Sequence, residues 1–233
     1  MFKSMSLISL FQKNHKKMSD KIDLLFKVFT SPKRLRILLA FNDNGYLDQI
    51  GWFNSFEARS PIDQDNNPIP WVTYSYIDFI RGRLKKKHTI FEFGSGNSTY
   101  FYAKHIGRVV SVEHDKEWYD KIVSTKPKNT EMIFCELVRD GDYCRMPLKL
   151  KEKFDIIIVD GRDRVNCCKQ AVNAVSENGV IVLDDSEREC YREGINFLKN
   201  NGYKELSFSG ISPGLFYLKS TSVFYRVNNC LDI

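Results

Sequence analysis

No two cysteines of this chain stand in a C-x-x-C pair, which removes the commonest spacing for a structural zinc. The 6 that occur, Cys135, Cys144, Cys167, Cys168, Cys190 and Cys230, fall mostly in apparent strands or helices, as buried reduced thiols do. No apolar run reaches the roughly 18 residues of a membrane span. The apolar part of "MFKSMSLISLFQKNHKK" is too short for a signal peptide, and no small-residue cleavage site follows it. A cytoplasmic protein is therefore expected, with an amphipathic N-terminal helix as the one segment suited to a membrane surface or a partner. Internal repeats and low-complexity linkers are missing as well. So is any RNA-reading pattern of interleaved aromatics and basics: the +6 charge gathers in short runs, "KNHKK" at 13–17 and "RGRLKKK" at 81–87. Such runs read as solvated faces, and nucleic acid is not the expected partner.

What is present fits an ordinary globular chain. With 42% hydrophobic and 27% charged residues over 233 positions, it can bury the core of one α/β domain and carry an appendage. Near the start, Ser19 suits a helix cap and Ile22, Leu25, Phe26 and Phe29 share a stripe. A break at "TSP" precedes a short helix with Leu35, Leu38 and Leu39. Residues 42–70 read as a long irregular loop rich in Asn, Asp, Gly and Pro, of the kind that shapes binding sites. Helical spacing returns in "WVTYSYIDFIRGRL", where Val72, Tyr76, Phe79 and Ile80 align. The division expected is residues 1–70 as helical extension and substrate-side loop, and 71–233 as the α/β domain.

From His88 onward strands and helices alternate. "TIFEF", "RVVSVE", "EMIFCEL", "FDIIIVD" and "GVIVLDD" are strand candidates, the last two being the continuous apolar runs of parallel strands covered on both faces. Val165, Cys168, Val172 and Val175 predict a helix stopped by Gly179. "SERE" reads as a capping box, with Ser186 at the cap and Glu189 three residues on, ahead of Tyr191, Ile195 and Leu198. "YKELSFSG" and "TSVFYRV" are separated by too few residues for a helical crossover and should pair antiparallel. The expected fold is a Rossmann-like, seven-stranded, mostly parallel sheet ending in an antiparallel hairpin.

In such a sheet ligands sit off the carboxyl ends of the strands, at the switch point. There "FEFGSGNST" places Gly94 and Gly96 just past the first strand, where glycine lets a ligand approach the backbone. Glu113 ends the second strand, where a carboxylate can accept from a ribose diol. Nicotinamide dinucleotides favour G-x-G-x-x-G, which seats a pyrophosphate on the helix N-terminus. Here Thr99 holds the third position and Glu92 opens the turn. A carboxylate beside the turn suits the cationic, phosphate-free S-adenosylmethionine better.

These residues carry a resemblance. "IFEFGSGNS" and "VVSVEHD" are similar to the first two motifs of the class I S-adenosylmethionine-dependent methyltransferases, and the later strands and hairpin resemble that fold over roughly 88–227. "PIPWVTYSYIDFI" with "FEFGSGNST" and "SVEHD" also resembles uncharacterised bacterial members, some associated with surface-glycan biosynthesis. The resemblance implies S-adenosylmethionine as cofactor, held by Glu92, Gly94, Ser95, Gly96, Asn97, Ser98, Thr99, Glu113, His114 and Asp160. It also implies an acid against the adenine amino group, for which Asp142 is chosen over Asp140. Ser98 replaces a glycine of the usual loop, and "VDGR" stands where amino-methylating families carry N/D-P-P-Y/F. The expected reaction is methyl transfer to an oxygen of a small molecule or glycan. An NAD-dependent oxidoreductase and a non-catalytic nucleotide-binding scaffold are the alternatives.

Trp71 and Tyr74 are candidate substrate contacts at the rim, and Arg162 and Arg164 could grip a substrate carboxylate or phosphate. Asp160 and Asp185 are the candidate catalytic acids. Together with Asp184 they converge at one sheet edge, and their repulsion requires a proton, an arginine or a cation nearby. In catechol-type O-methyltransferases, which this arrangement resembles, acids so placed bind magnesium, but no lysine base follows the fourth strand here. No residue is assigned as a metal ligand.

Overall fold

The computed structural model describes residues 44–233 continuously, with 23, 26, 27 and 29–41 before them. The chain divides into two compact units, Met1–Gln49 and Ile50–Ile233. In the first, α1 (Pro32–Ala40) begins where Ser31 caps it, its Oγ accepting from Arg34 N, and Pro32 sits at the first helical position. A short α2 (Tyr46–Gln49) follows. The helix expected around Ser19, Ile22 and Leu25 lies outside the described residues, as does the basic run at 13–17.

The second unit holds a seven-stranded sheet in the order β3-β2-β1-β4-β5-β7-β6. Its strands are β1 (Thr89–Phe93), β2 (Arg108–Glu113), β3 (Thr130–Phe134), β4 (Phe154–Val159), β5 (Val175–Asp184), β6 (Lys204–Gly210) and β7 (Lys219–Tyr225). The first five are parallel. β7 lies antiparallel between β5 and β6, with Asp184 facing Thr221. The apolar runs of β1, β4 and β5 fill the core between helix layers, and the expected Rossmann-like sheet with its antiparallel hairpin is what the chain forms. The helices are α3 (Trp52–Ala58), α4 (Tyr74–Arg81), α5 (Asn97–His105), α6 (Lys116–Thr125), α7 (Asp142–Lys149), α8 (Arg164–Ala174) and α9 (Arg192–Asn200).

Four local readings need correction. The stretch 42–70 is not wholly irregular, since α2 and α3 lie in it; Gly51, at φ +73°, turns the chain into α3, whose Trp52 and Ser55 are buried. Gly179 does not stop α8. That helix ends at Ala174, and Gly179 lies within β5 beside a shift in its register with β4. The buried face of α8 is Cys167, Cys168, Ala171 and Ala174, because these smaller side chains let the helix sit close to the sheet while Val165 and Val172 lie at its margin. Finally, Ser186 caps no helix. Asp185 adopts φ +55°, Ser186 Oγ lies 2.7 Å from Ser222 Oγ on β7, and α9 starts only after a short 3-10 turn at Glu189–Tyr191.

Candidate functional site

The order of strands reverses between β1 and β4, and there a cleft of about 440 Å³ opens off their carboxyl ends. Gly94, Ser95, Glu113, His114, Asp160 and Arg162 are on its walls. Two glycines make the floor. Gly94 has φ +93° and its absent Cβ would stand 3.3 Å from Gly161 Cα; Gly96 has φ +155°, a conformation that only glycine adopts readily.

Beneath this turn runs a relay of hydrogen bonds. Gly96 N donates to Thr99 Oγ1 (3.1 Å), Thr99 Oγ1 donates to Glu92 Oε2 (2.6 Å), and Ser111 Oγ donates to the same oxygen (2.8 Å). Glu92 is thus a buried brace of the turn. Burial pushes its carboxyl up to about 6, against the opposing hydrogen bonds from Ser98, Thr99 and Ser111.

Glu113 is pinned from above. Its Oε2 accepts from Ser95 N (3.1 Å) and Ser95 Oγ (2.8 Å), and its Oε1 from the backbone N of His114 (2.8 Å) and Asp115 (3.0 Å). His114 Nδ1 also lies 2.9 Å from Oε1. Trp118, in the first turn of α6, donates from Nε1 to Ser95 O at 2.9 Å and closes this side of the cleft. Neither Trp118 nor Asp115, also on the wall, stood out in the sequence; the four-residue step from His114 to Trp118 was the available signal.

The three acids at the far end do converge, and three protein cations, Arg164, Lys219 and Arg188, pair with them. Arg164 Nη2 is 2.9 Å from Asp160 Oδ1, and its Nη1 is 3.3 Å from Asp185 Oδ2. Lys219, on β7 and only 4% exposed, places Nζ 2.6 Å from Asp184 Oδ2 and 2.9 Å from Asp185 Oδ1. Thr221 Oγ1 adds a bond to Asp184 Oδ1 at 2.8 Å, and Arg188 pairs with Asp185 at 2.9 Å. Burial raises the Asp160 carboxyl, Asp184 adds to the rise, and Arg164 and Lys219 oppose it. Burial pulls Lys219 down, but the acids around it outweigh that and its net shift is upward. Among the described residues, no group of three His, Cys, Asp or Glu side chains has the makings of a metal site. Lys219 escaped the sequence reading because nothing local marks a lysine that follows "FYL" as buried.

Other candidates fall elsewhere. Arg164 is consumed by the acids, which leaves Arg162, exposed on the cleft wall, as the member of that pair without an ion pair among the described residues. Asp142 starts α7, ion-paired to Lys149 at 2.5 Å, and Asp140 pairs with Arg145; neither is among the cleft's lining residues. Tyr74 is buried at 5% exposure as the first residue of α4, so it packs in the core and not at the rim. Asn97 turns away from the cleft: its Nδ2 donates to Ser60 Oγ (3.0 Å) and Pro61 O (2.7 Å). Trp71, by contrast, is 43% exposed and lines a second recess, of about 200 Å³, that shares Ser95, Ser98, Trp118 and Asp160 with the cleft.

No family model and no curated protein matches the chain. Solved structures do. The precorrin 8w decarboxylase of Methanobacterium thermoautotrophicum aligns at a TM-score of 0.50 with 15% identity, over 72% of this chain and 97% of that one. A methyltransferase-like protein from Silicibacter pomeroyi has TM-score 0.48 and 22% identity, over 68% and 89%. A putative methyltransferase from Streptococcus mutans, solved in complex with SAH, has TM-score 0.47 and 13% identity, over 64% and 94%. At these identities the likeness is one of fold: the chain shares the Rossmann-like α/β architecture of the decarboxylase over nearly all of that protein's length.

Proposed function

We propose that this chain is an S-adenosylmethionine-dependent methyltransferase acting on an oxygen of a small molecule or sugar. One observation carries the reading most: two backbone donors of the glycine turn are already engaged, and an acid lies beneath it. Ser95 N is given to Glu113 and Gly96 N to Thr99, and the Glu92 carboxylate lies directly under the turn. A dinucleotide's pyrophosphate would meet acid beneath the turn that it must approach. A cation with a ribose and no phosphate meets complementary charge.

The residues fit that group. The cleft falls in the volume range of small-molecule sites, its floor is glycine, and a carboxylate stands at the end of β2. Glu113 would hold the ribose diol; about four lone-pair sites on its carboxylate are occupied by the chain, so a diol takes over the Ser95 Oγ bond and shares the rest. The 94–96 turn and Ser98 would hold the amino-acid end, and His114 the base side. Bound there, S-adenosylmethionine supplies an electrophilic methyl on its sulfonium. Asp160, which lines both cleft and recess, would accept the proton of the acceptor hydroxyl as that oxygen gains the methyl. Its raised pKa suits a base working near neutrality, and Arg164, bonded to it at 2.9 Å, fixes its position.

Calorimetric titration with S-adenosylhomocysteine and, separately, with NAD tests this. The first should bind and the second should not. Glu113→Gln should weaken the binding about tenfold or more, since a charge-assisted hydrogen bond is worth about 1.5–3 kcal/mol. Binding of NAD alone would replace the reading with the oxidoreductase, and cofactor binding with no turnover on any acceptor would favour the scaffold.

A further inference from the structure

The recess beside the cleft is built more deliberately than a surface dent. Trp71 and Trp118 flank it, 43% and 38% exposed, and each has its indole N–H tied to a loop carbonyl: Trp71 to Pro213 O at 2.8 Å and Trp118 to Ser95 O at 2.9 Å. Their polar edges are spent. Lys121 Nζ lies over one face of Trp118, 4.8 Å from the ring centre; the surfaces left open on the two indoles are apolar and held at fixed angles, which favours stacking against a ring.

Arg59 supplies the charge. It lines the same recess and ends α3 in the left-handed region, φ +50° and ψ +36°, where helices commonly place glycine. A non-glycine residue held there is strained, and such strain gathers at ligand clamps. Among the described residues its guanidinium has no ion pair or hydrogen-bond partner. Asp160, the carboxylate on that wall, is already bonded to Arg164. The turn carrying Arg59 is fixed to the cofactor side, because Asn97, the first residue of α5, bonds Ser60 and Pro61.

We infer that this recess is the acceptor subsite, and that the acceptor is a hydroxylated ring bearing one carboxylate or phosphate, the anion received by Arg59 and the ring by Trp71 and Trp118. The inference rests on the methyl-transfer reading for the identity of the neighbouring cleft. An arginine fork pairs with either anion in bidentate fashion, and the ring's hydroxyl is directed to Asp160, which both cavities share.

The test is calorimetry with saturating S-adenosylhomocysteine, using 4-hydroxybenzoate, glucuronate and glucose 1-phosphate as probes against neutral 4-hydroxybenzamide and glucose. At least one charged probe should bind tenfold or more tighter than its neutral counterpart, and the carboxylate and phosphate arms show which anion is read. Arg59→Gln should abolish that preference without changing the affinity for S-adenosylhomocysteine. Trp71→Ala should weaken charged and neutral probes alike. Failure of every charged probe to bind, or a preference that survives in Arg59→Gln, overturns the inference. If S-adenosylhomocysteine binds and no preference exists, the subsite falls and the cofactor reading stands. If it does not bind but an Arg59-dependent preference appears, the cofactor reading falls and the recess stands as a site for a ring bearing an anion, not as a methyl-acceptor subsite.

Discussion

Replacing Lys219 with methionine removes the ammonium that lies between two buried acids while keeping most of the side chain's volume. Three contacts go with it: Asp184 Oδ2 at 2.6 Å, Asp185 Oδ1 at 2.9 Å, and the Trp71 carbonyl at 3.2 Å. Breaking a buried pair by deleting one partner costs about 3–5 kcal/mol, because the charge left behind is uncompensated. Some compensation persists here. Arg164 still stands 3.9 Å from Asp184 Oδ2, and Thr221 still donates to Oδ1. The loss should therefore fall near the lower end, about 3 kcal/mol. For a chain of this size that is a fall in Tm of roughly 6–12 °C.

The pH dependence separates this cause from simple loss of packing. Burial already holds the Asp184 carboxyl above its usual range even with Lys219 beside it. Without the ammonium it rises further. A carboxyl raised in the folded state contributes stability that is present at low pH and lost as pH climbs through the raised value. The deficit of Lys219→Met should thus be small near pH 5 and grow toward pH 8. Asp184→Asn in the same background should recover part of it, a coupling read by a double-mutant cycle. Thermal unfolding from pH 5 to 8 measures all three. A deficit under about 1 kcal/mol, or one that does not change with pH, would refute the claim that Lys219 neutralises these acids.

Three further outcomes are expected. Gly96→Val should abolish S-adenosylhomocysteine binding while far-UV circular dichroism stays native, and since a Cβ there would meet only Trp118 Cζ2, at an ordinary 3.6 Å, the loss would report backbone conformation; retained binding would mean that the ligand does not use the turn. Glu92→Gln should flatten a slope in stability between pH 4.5 and 6, where the native chain loses about 2 kcal/mol as the buried carboxyl ionises; an unchanged slope in equilibrium unfolding would place that ionisation elsewhere. With an acceptor in hand, Asp160→Asn should lower kcat by about 10²–10⁴ and remove the rise of rate with pH that a raised carboxyl base imposes; a variant with the native profile would reduce Asp160 to an anchor for Arg164.

How much of this was readable in the sequence depends on the range of the interaction concerned. The sheet was legible because parallel strands buried on both faces must be apolar throughout, and "FDIIIVD" and "GVIVLDD" can satisfy that in few other ways. The glycine turn and Glu113 were legible because they are punctuation at strand ends, where neighbouring residues decide the geometry. Convergence of Asp160, Asp184 and Asp185 followed from the same logic, and so did the need for an offsetting charge. Its source did not. Arg164 is four residues from Asp160 as the first residue of α8, so spacing placed it at the site, but spacing could not show that Asp160 and Asp185 would claim it before a substrate did.

Lys219 and Arg59 mark where local reasoning ends. Lys219 becomes buried only because β7 inserts between β5 and β6 with Thr221 opposite Asp184, a register that sets the residue two places earlier against the same carboxylate. Its ammonium also accompanies the Trp71 carbonyl, so one side chain joins the acid cluster to the wall of the recess. Arg59 becomes a candidate clamp only when Asn97 ties its turn to the start of α5. In both cases an ordinary charged residue gains meaning from a partner far away in sequence. The glycine turn would meet a ligand through where its backbone goes. The acids, Lys219 and Arg59 act by which charges the fold leaves paired and which it leaves open, and that distinction assigns Arg164 to the scaffold and Arg59 to the acceptor.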